Sequence, residues 1–208
     1  MEYFTSSPPW FNEEINRLQN NIHHHAYIFE GKEGIGKQFF YLEIAKGLLC
    51  SCLPNASSCN DCQSCFLFNK QNHPDFHLIV PEKEKKQISI NQIRNQQESL
   101  YESAFLGGNK VFAINPIEKM TREAIDAILK NLEEPPNNTF FLLLTHRYHS
   151  LPLTVKSRCS RLNLNQPKNE EIKEWLKDLL GNNSNIDMAM IYSKGKPLIA
   201  ARMANSDI

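Results

Sequence analysis

Residues 25–50 read HAYIFEGKEGIGKQFFYLEIAKGLLC. The apolar run ending in Tyr27, Ile28 and Phe29 predicts a buried strand that closes on Gly31. Gly31-Lys32-Glu33-Gly34-Ile35-Gly36-Lys37-Gln38 then matches the phosphate-binding pattern G-x4-G-K up to its last position. In such a loop, Gly31, Gly34 and Gly36 let successive backbone N–H groups converge on phosphate oxygens. The following helix N-terminus adds positive potential, and Lys37 reaches the terminal phosphates. The last position calls for a Ser or Thr hydroxyl on Mg2+, and here it is Gln38, a poor substitute. Without a ligand the same residues are a glycine turn. After Gly36, the apolar Phe39, Phe40, Leu42, Ile44, Ala45, Leu48 and Leu49 predict a buried helix. Strand, glycine turn and helix in that order open an α/β nucleotide-binding domain.

The rest of the chain continues the alternation. Phe11, Ile15, Leu18 and Ile22 are spaced for an amphipathic helix over 11–22. Strands are expected at Phe76–Val80, at Val111–Ile114 and at Phe140–Leu144, with a short fifth around Leu162 and Leu164. One helix is expected over 90–102, and another, capped by Thr121 and stopped by Pro135-Pro136, over REAIDAILKNLEE. Such alternation implies a mostly parallel sheet with helices on both faces. After Pro167 the pattern turns helical, in EEIKEWLKDLL and from Met188 to Met203, with GNNSN between; this tail is expected to be a small helical lid.

Composition narrows the function. The 208 residues carry 23 Lys+Arg and 23 Asp+Glu, for zero net charge. That argues against a protein whose whole surface binds nucleic acid, which needs a cationic surplus. No stretch approaches the ~20 apolar residues of a membrane span. The start MEYFTSSPPWFNEEI has three glutamates and no apolar run, so it does not read as a secretory signal.

Five of the six cysteines lie between residues 50 and 65. Clustered cysteines with C-x2-C spacing indicate metal binding rather than a disulfide framework. Cys50, Cys59, Cys62 and Cys65 can close a tetrahedral zinc site, with turns supplied by Pro54, Asn55, Ser57, Ser58, Asn60 and Asp61. Spacing alone also permits Cys52 in place of Cys50, and an iron–sulfur cluster in place of zinc. So far from the phosphate loop's chemistry, the ion is expected to be structural. His23-His24-His25 cannot all face one ion from a strand and are assigned surface and turn roles, Trp10 and Trp175 packing, and His73-Pro74-Asp75 a strand-entry turn.

HAYIFEGKEGIGK, the spaced cysteines, HPDFHLI, GGNKVFAI, AILKNLEEPP, FFLLLT and SRC occur in one order. Together they resemble the clamp-loader subunits of bacterial DNA polymerase III, a family of the AAA+ class, over about residues 20–205. The resemblance implies an α/β fold of the P-loop AAA+ type over 1–166, with a zinc module at 50–65, and a helical lid domain over 167–208. It also implies a third, helical collar domain, which is expected to be absent from these 208 residues. A bacterial, cytoplasmic, hetero-oligomeric protein follows as an expectation.

Within that family gamma/tau hydrolyses ATP, while delta-prime is similar but lacks working catalytic parts. Hydrolysis needs carboxylates after the third strand, where this chain has Asn115 and Pro116, with Glu118 displaced by two positions. The lid motif of the motor subunits resembles G-S-x-R, and here Gly195-Lys196-Pro197-Leu198 puts Leu198 in the Arg position. With Gln38, these departures point to the delta-prime branch and make ATP binding doubtful. Ser157-Arg158-Cys159 is retained; in the family this motif supplies an arginine finger to a neighbour's ATP site. Thr145 matches the family's polar sensor and is assigned local hydrogen bonding in the absence of nearby carboxylates. The resemblance implies gamma/tau and delta as partners and, through them, the sliding clamp and primed DNA. The alternatives are a divergent gamma/tau-type ATPase and a zinc-dependent DNA-binding module.

Overall fold

A computed structural model describes residues 8–52, 56–181 and 185–205. Pro54, Asn55 and the middle of GNNSN lie outside the described residues. A 3-10 turn, Pro9–Phe11, leads into α1 (Asn12–Asn20), which buries Ile15 and Leu18. β1 (Ala26–Glu30) passes through the glycine loop into α2 (Lys37–Leu49). The cysteine region contains α3 (Gln63–Asn69), and β2 (Phe76–Ile79) follows. Next come α4 (Ile90–Arg94), α5 (Gln97–Tyr101), β3 (Lys110–Ile114) and α6 (Arg122–Glu133). β4 (Thr139–Thr145), α7 (Leu153–Lys156) and β5 (Ser160–Asn163) complete the α/β part. α8 (Asn169–Leu180), α9 (Ile186–Tyr192) and α10 (Pro197–Asn205) form the helical tail.

The five strands make one parallel sheet in the order β2-β3-β4-β1-β5. β3, buried throughout, and β4, buried apart from a partly exposed Phe140, have apolar side chains on both faces, as expected for inner strands of a covered parallel sheet. Tyr27, Phe29, Val111 and Ala113 point to the face covered by α1 and α2, where Phe11, Phe40 and Ile44 pack. Ile28, Phe112 and Ile114 point to the other, covered by α4 and α6 through Ile93, Ile128 and Leu132. A third cluster, Ile172, Leu176, Ile186, Ala189, Ala200, Ala201 and Ala204, holds the tail helices together. Alanines on α10 let its neighbours approach closely.

Three local expectations need correction. The single helix over 90–102 is two, interrupted at Asn95 and Gln96, where ψ rises to −19° and −6° and no apolar side chain is available to anchor the turn to the core. The segment from Met188 to Met203 breaks at Lys194 and Gly195, both in the left-handed region (φ 51° and 73°). The cysteine region is not only turns: Cys62 caps α3, and Cys65 lies within it.

Lys110 and Asp75 tie the far end of the sheet together. The buried Lys110 Nζ donates to the carbonyls of Ser99, Leu100 and Glu102, the open C-terminal end of α5. The Asp75 carboxylate accepts the N–H groups of Phe105 (2.6 Å) and Leu106 (3.0 Å).

Candidate functional sites

The glycine loop leaves the C-terminal end of β1 in the sheet's interior, where parallel α/β folds place their ligands. Gly36, the residue before α2, has φ 96°, a conformation that side chains rarely adopt. Lys37 opens α2 and is 4% exposed. Its Nζ donates to the loop's own carbonyls, Gly31 O at 2.5 Å and Lys32 O at 2.8 Å, and to His146 Nδ1 at 2.8 Å. Burial pulls the Lys37 pKa from 10.5 down to about 8, against the upward pull of Glu118, Glu33 and Glu30. Burial and the Lys37 charge lower the His146 pKa, so its imidazole stays neutral and can accept that hydrogen bond.

Other loop carbonyls are also used internally. Gly34 O accepts the Leu198 N–H of α10 (3.2 Å), and Ile35 O accepts the Trp10 indole N–H (3.1 Å). Glu33 pairs with Lys196 at 3.1 Å. Trp10 meets Trp175 of α8 edge to face, centroids 5.2 Å apart, so residues just before α1, the loop and the helical tail interlock. A cleft of about 320 Å³ remains, lined by Glu33, Gly34, Gly36, Lys37, Gln38, Asn115, Leu144, His146, Leu198, Ile199 and Arg202. Gln38, Asn115 and Leu198, read from distant parts of the sequence, therefore share one cleft.

His146 and Arg202 were missed, and Glu118 was set aside as displaced. His146 follows the sensor-position Thr145, and Arg202 lies one turn beyond Leu198 on α10; both spacings were visible. Glu118 corrects the expectation that no carboxylate lies near Thr145. The turn Ile117–Lys119 brings its Oε1 back to accept the His146 N–H at 2.9 Å, while Oε2 is buried without a hydrogen-bond partner among the described residues. Thr145 itself does make the expected local bond, its hydroxyl accepting the Arg147 N–H at 3.0 Å.

At the other end of α2, Cys50, Cys59, Cys62 and Cys65 bring their sulfurs within 4.8 Å of one another, with Cys50 and Cys62 4.0 Å apart. An ion held by four thiolates at ~2.3 Å sets the sulfurs about 3.8 Å apart, so this set fits a tetrahedral metal after slight contraction. Backbone N–H groups already point at the sulfurs, from Cys59 to Cys50, Cys62 to Cys59 and Cys65 to Cys62, at 3.3–3.4 Å. At Cys62, burial pushes the pKa up but is outweighed by N–H donors, notably from Cys65 and Ser51, leaving it at about 5. Burial pushes Cys65 up to about 12. Cys52 is exposed and outside the set, which resolves the choice in favour of Cys50.

The rest of the module is bolted to α2. Ser64 Oγ donates to Leu49 O (2.5 Å) and accepts from His73 Nε2 (2.7 Å), whose Nδ1 accepts the Asp75 N–H. Gly47 is required by close approach: a Cβ there would lie 1.5 Å from the carbonyl oxygen of Ala56.

Arg158 follows α7 on the surface, apart from both sites. Its guanidinium meets Glu133 at the end of α6 and the Thr154 carbonyl. The histidine run has the expected turn roles: His25 Nε2 bonds Leu132 O at 2.7 Å, and His24 stacks on His25.

The family model described as "DNA polymerase III, delta subunit" matches residues 8–168. A DNA polymerase III subunit delta' of Buchnera aphidicola (subspecies Baizongia pistaciae) is 36% identical over 197 residues, 89% of this chain and 58% of that protein. The delta' subunit of Escherichia coli K12 is 31% identical over 96% of this chain and 61% of its own length. The chain thus spans about three fifths of these curated relatives. A gamma subunit-related protein of Thermotoga maritima has the same fold, with TM-score 0.63 at 24% identity over 91% of this chain and 57% of that one. No helix among the described residues is long and apolar enough to cross a membrane. With most of its length matched by the family model and its curated relatives carrying the delta' name, this chain belongs to the DNA polymerase III delta-subunit family.

Proposed function

We propose that this chain acts as a delta-prime-like subunit of a clamp loader: it helps load the sliding clamp onto primed DNA without hydrolysing ATP itself. The observation that carries this reading is that Gln38, Asn115 and Leu198, each standing where an ATPase needs a different group, line one cleft with Lys37. Anion binding, metal binding and the lid contact are thereby weakened together.

On this reading residues 1–166 form an AAA+-like domain and 167–208 a lid domain, and the partners are gamma/tau and delta. Arg158 is offered in trans to a neighbour's ATP. A guanidinium so placed stabilises charge on the transferring phosphoryl group and is worth ~10³–10⁵ in rate in well-studied cases. Cys50, Cys59, Cys62 and Cys65 hold zinc in a structural role: it would fix the segment between α2 and α3, and it takes no part in hydrolysis.

The test is reconstitution with the gamma/tau and delta subunits of the same cell. The chain should co-elute with them, show no ATPase alone, and support clamp loading. Turnover by the isolated chain that Lys37→Ala abolishes would refute the reading.

A further inference from the structure

We propose that Glu133 is the positioning residue for Arg158, gripping the guanidinium by its side so that its free end is presented to an anion on a neighbouring molecule; this rests on the reading of Arg158 as a trans-acting finger. Both Nε (3.1 Å) and Nη2 (3.0 Å) of Arg158 donate to one oxygen of Glu133, Oε2. Nη1 donates to Thr154 O at 2.8 Å, with Ser157 Oγ only at 3.4 Å. A guanidinium has five N–H donors. Glu133 takes Nε and one Nη2 hydrogen, and Thr154 O and, at the long distance of 3.4 Å, Ser157 Oγ share Nη1, which leaves one N–H of Nη2 free. That N–H, joined by Nη1 when it gives up the weak Ser157 contact, provides the fork that meets two oxygens of a phosphate. A carboxylate across the terminal edge would have parked the group; on the lateral edge it aims it.

The location of Glu133 supports a task beyond stability. It is the last residue of α6, where unpaired carbonyls gather negative potential and an acidic side chain costs ~0.3–1 kcal/mol. The ion pair is also at the surface, where such pairs return little. The segment that carries Arg158, residues 135–169, contains Arg147, Lys156, Arg158, Arg161 and Lys168 and no Asp or Glu. Arg158 therefore draws its carboxylate from outside its own segment, and Pro135-Pro136, one residue beyond the end of α6, prevent the helix from continuing past Glu133 and Glu134.

The experiment uses the full chain assembled with its ATP-hydrolysing partner, and reads kcat and KM for ATP in Glu133→Ala, Glu133→Gln and Arg158→Ala. Because both bonds fall on one oxygen, the Gln amide oxygen can replace it without the charge. Glu133→Ala should lower the Arg158-dependent kcat about tenfold, the scale of a misaimed group, with KM unchanged. Glu133→Gln should stay within about twofold of wild type. In the isolated chain, the Arg158 Nε–H resonance should exchange slowly in wild type and Glu133→Gln and be lost in Glu133→Ala.

Wild-type or raised kcat in Glu133→Ala, or equal damage in both Glu133 variants, overturns the positioning role. If Arg158→Ala is impaired while Glu133→Ala is not, only the role of Glu133 falls. Unchanged turnover in Arg158→Ala overturns the finger reading, and this inference with it.

Discussion

Replacing Lys37 by Met separates the charge of the glycine loop from its shape. In the fold the Lys37 pKa stands at about 8 rather than 10.5. The difference corresponds to about 3 kcal/mol disfavouring the charged form in the folded state. Stability rises with pH wherever the unfolded chain binds more protons than the folded one. Between pH 8 and 10.5 unfolded Lys37 is protonated while the folded side chain is losing its proton, so the wild type should gain on Lys37→Met over that interval. At pH 7.5 the variant is relieved of a buried charge but leaves the carbonyls of Gly31 and Lys32 without their donor, and that loss does not vary with pH. Burial and the Lys37 charge hold His146 below its ordinary 6.5 in the wild type, and the remaining lysines and tyrosines cancel in the comparison. Urea unfolding of the two proteins at pH 7.5, 8.5, 9.5 and 10 therefore gives a direct reading. The wild-type stability minus that of Lys37→Met should increase by about 2–3 kcal/mol across the series, at up to ~1.4 kcal/mol per pH unit. A difference flat within about 0.5 kcal/mol, or one that falls, would refute the claim that the loop's ammonium is desolvated and internally satisfied.

Two further outcomes concern the cysteine module. Cys50→Ser, Cys59→Ser, Cys62→Ser and Cys65→Ser should each lose bound zinc, measured by metal analysis of untagged protein, whereas Cys52→Ser should retain a full equivalent. Gly47→Ala should cost about 3 kcal/mol or more, at the upper end of overpacking penalties, because the clash is with the backbone carbonyl of Ala56. Wild-type thermal stability and zinc content in that variant would mean that the segment beside α2 is not packed as described.

The sheet was legible because its strands are short continuous apolar runs between turn residues, and α6 because Thr121 caps an unbroken helical stripe. The break between α4 and α5 was not, since polar Asn95, Gln96 and Gln97 are as compatible with a helix's wet face as with its interruption. At the phosphate loop, Gln38, Asn115 and Leu198 could be read one by one against a known pattern. What Lys37 does instead could not, because His146 reaches it only through the sheet order, with β4 lying directly beside β1. Glu118 was hidden for the same reason: counting positions from β3 says nothing of a turn that brings the carboxylate back to the end of β4. Cys50 could be preferred to Cys52 only once the sulfurs had positions in space.

The chain contains two tryptophans, and they touch each other. Trp10 is hydrogen-bonded to the glycine loop and Trp175 is carried by α8, so all of the indole emission arises at the junction of loop and helical tail. Intrinsic fluorescence is thus a local optical gauge of how closely α8 sits over Ile35, needing no attached dye and blind to the rest of the molecule.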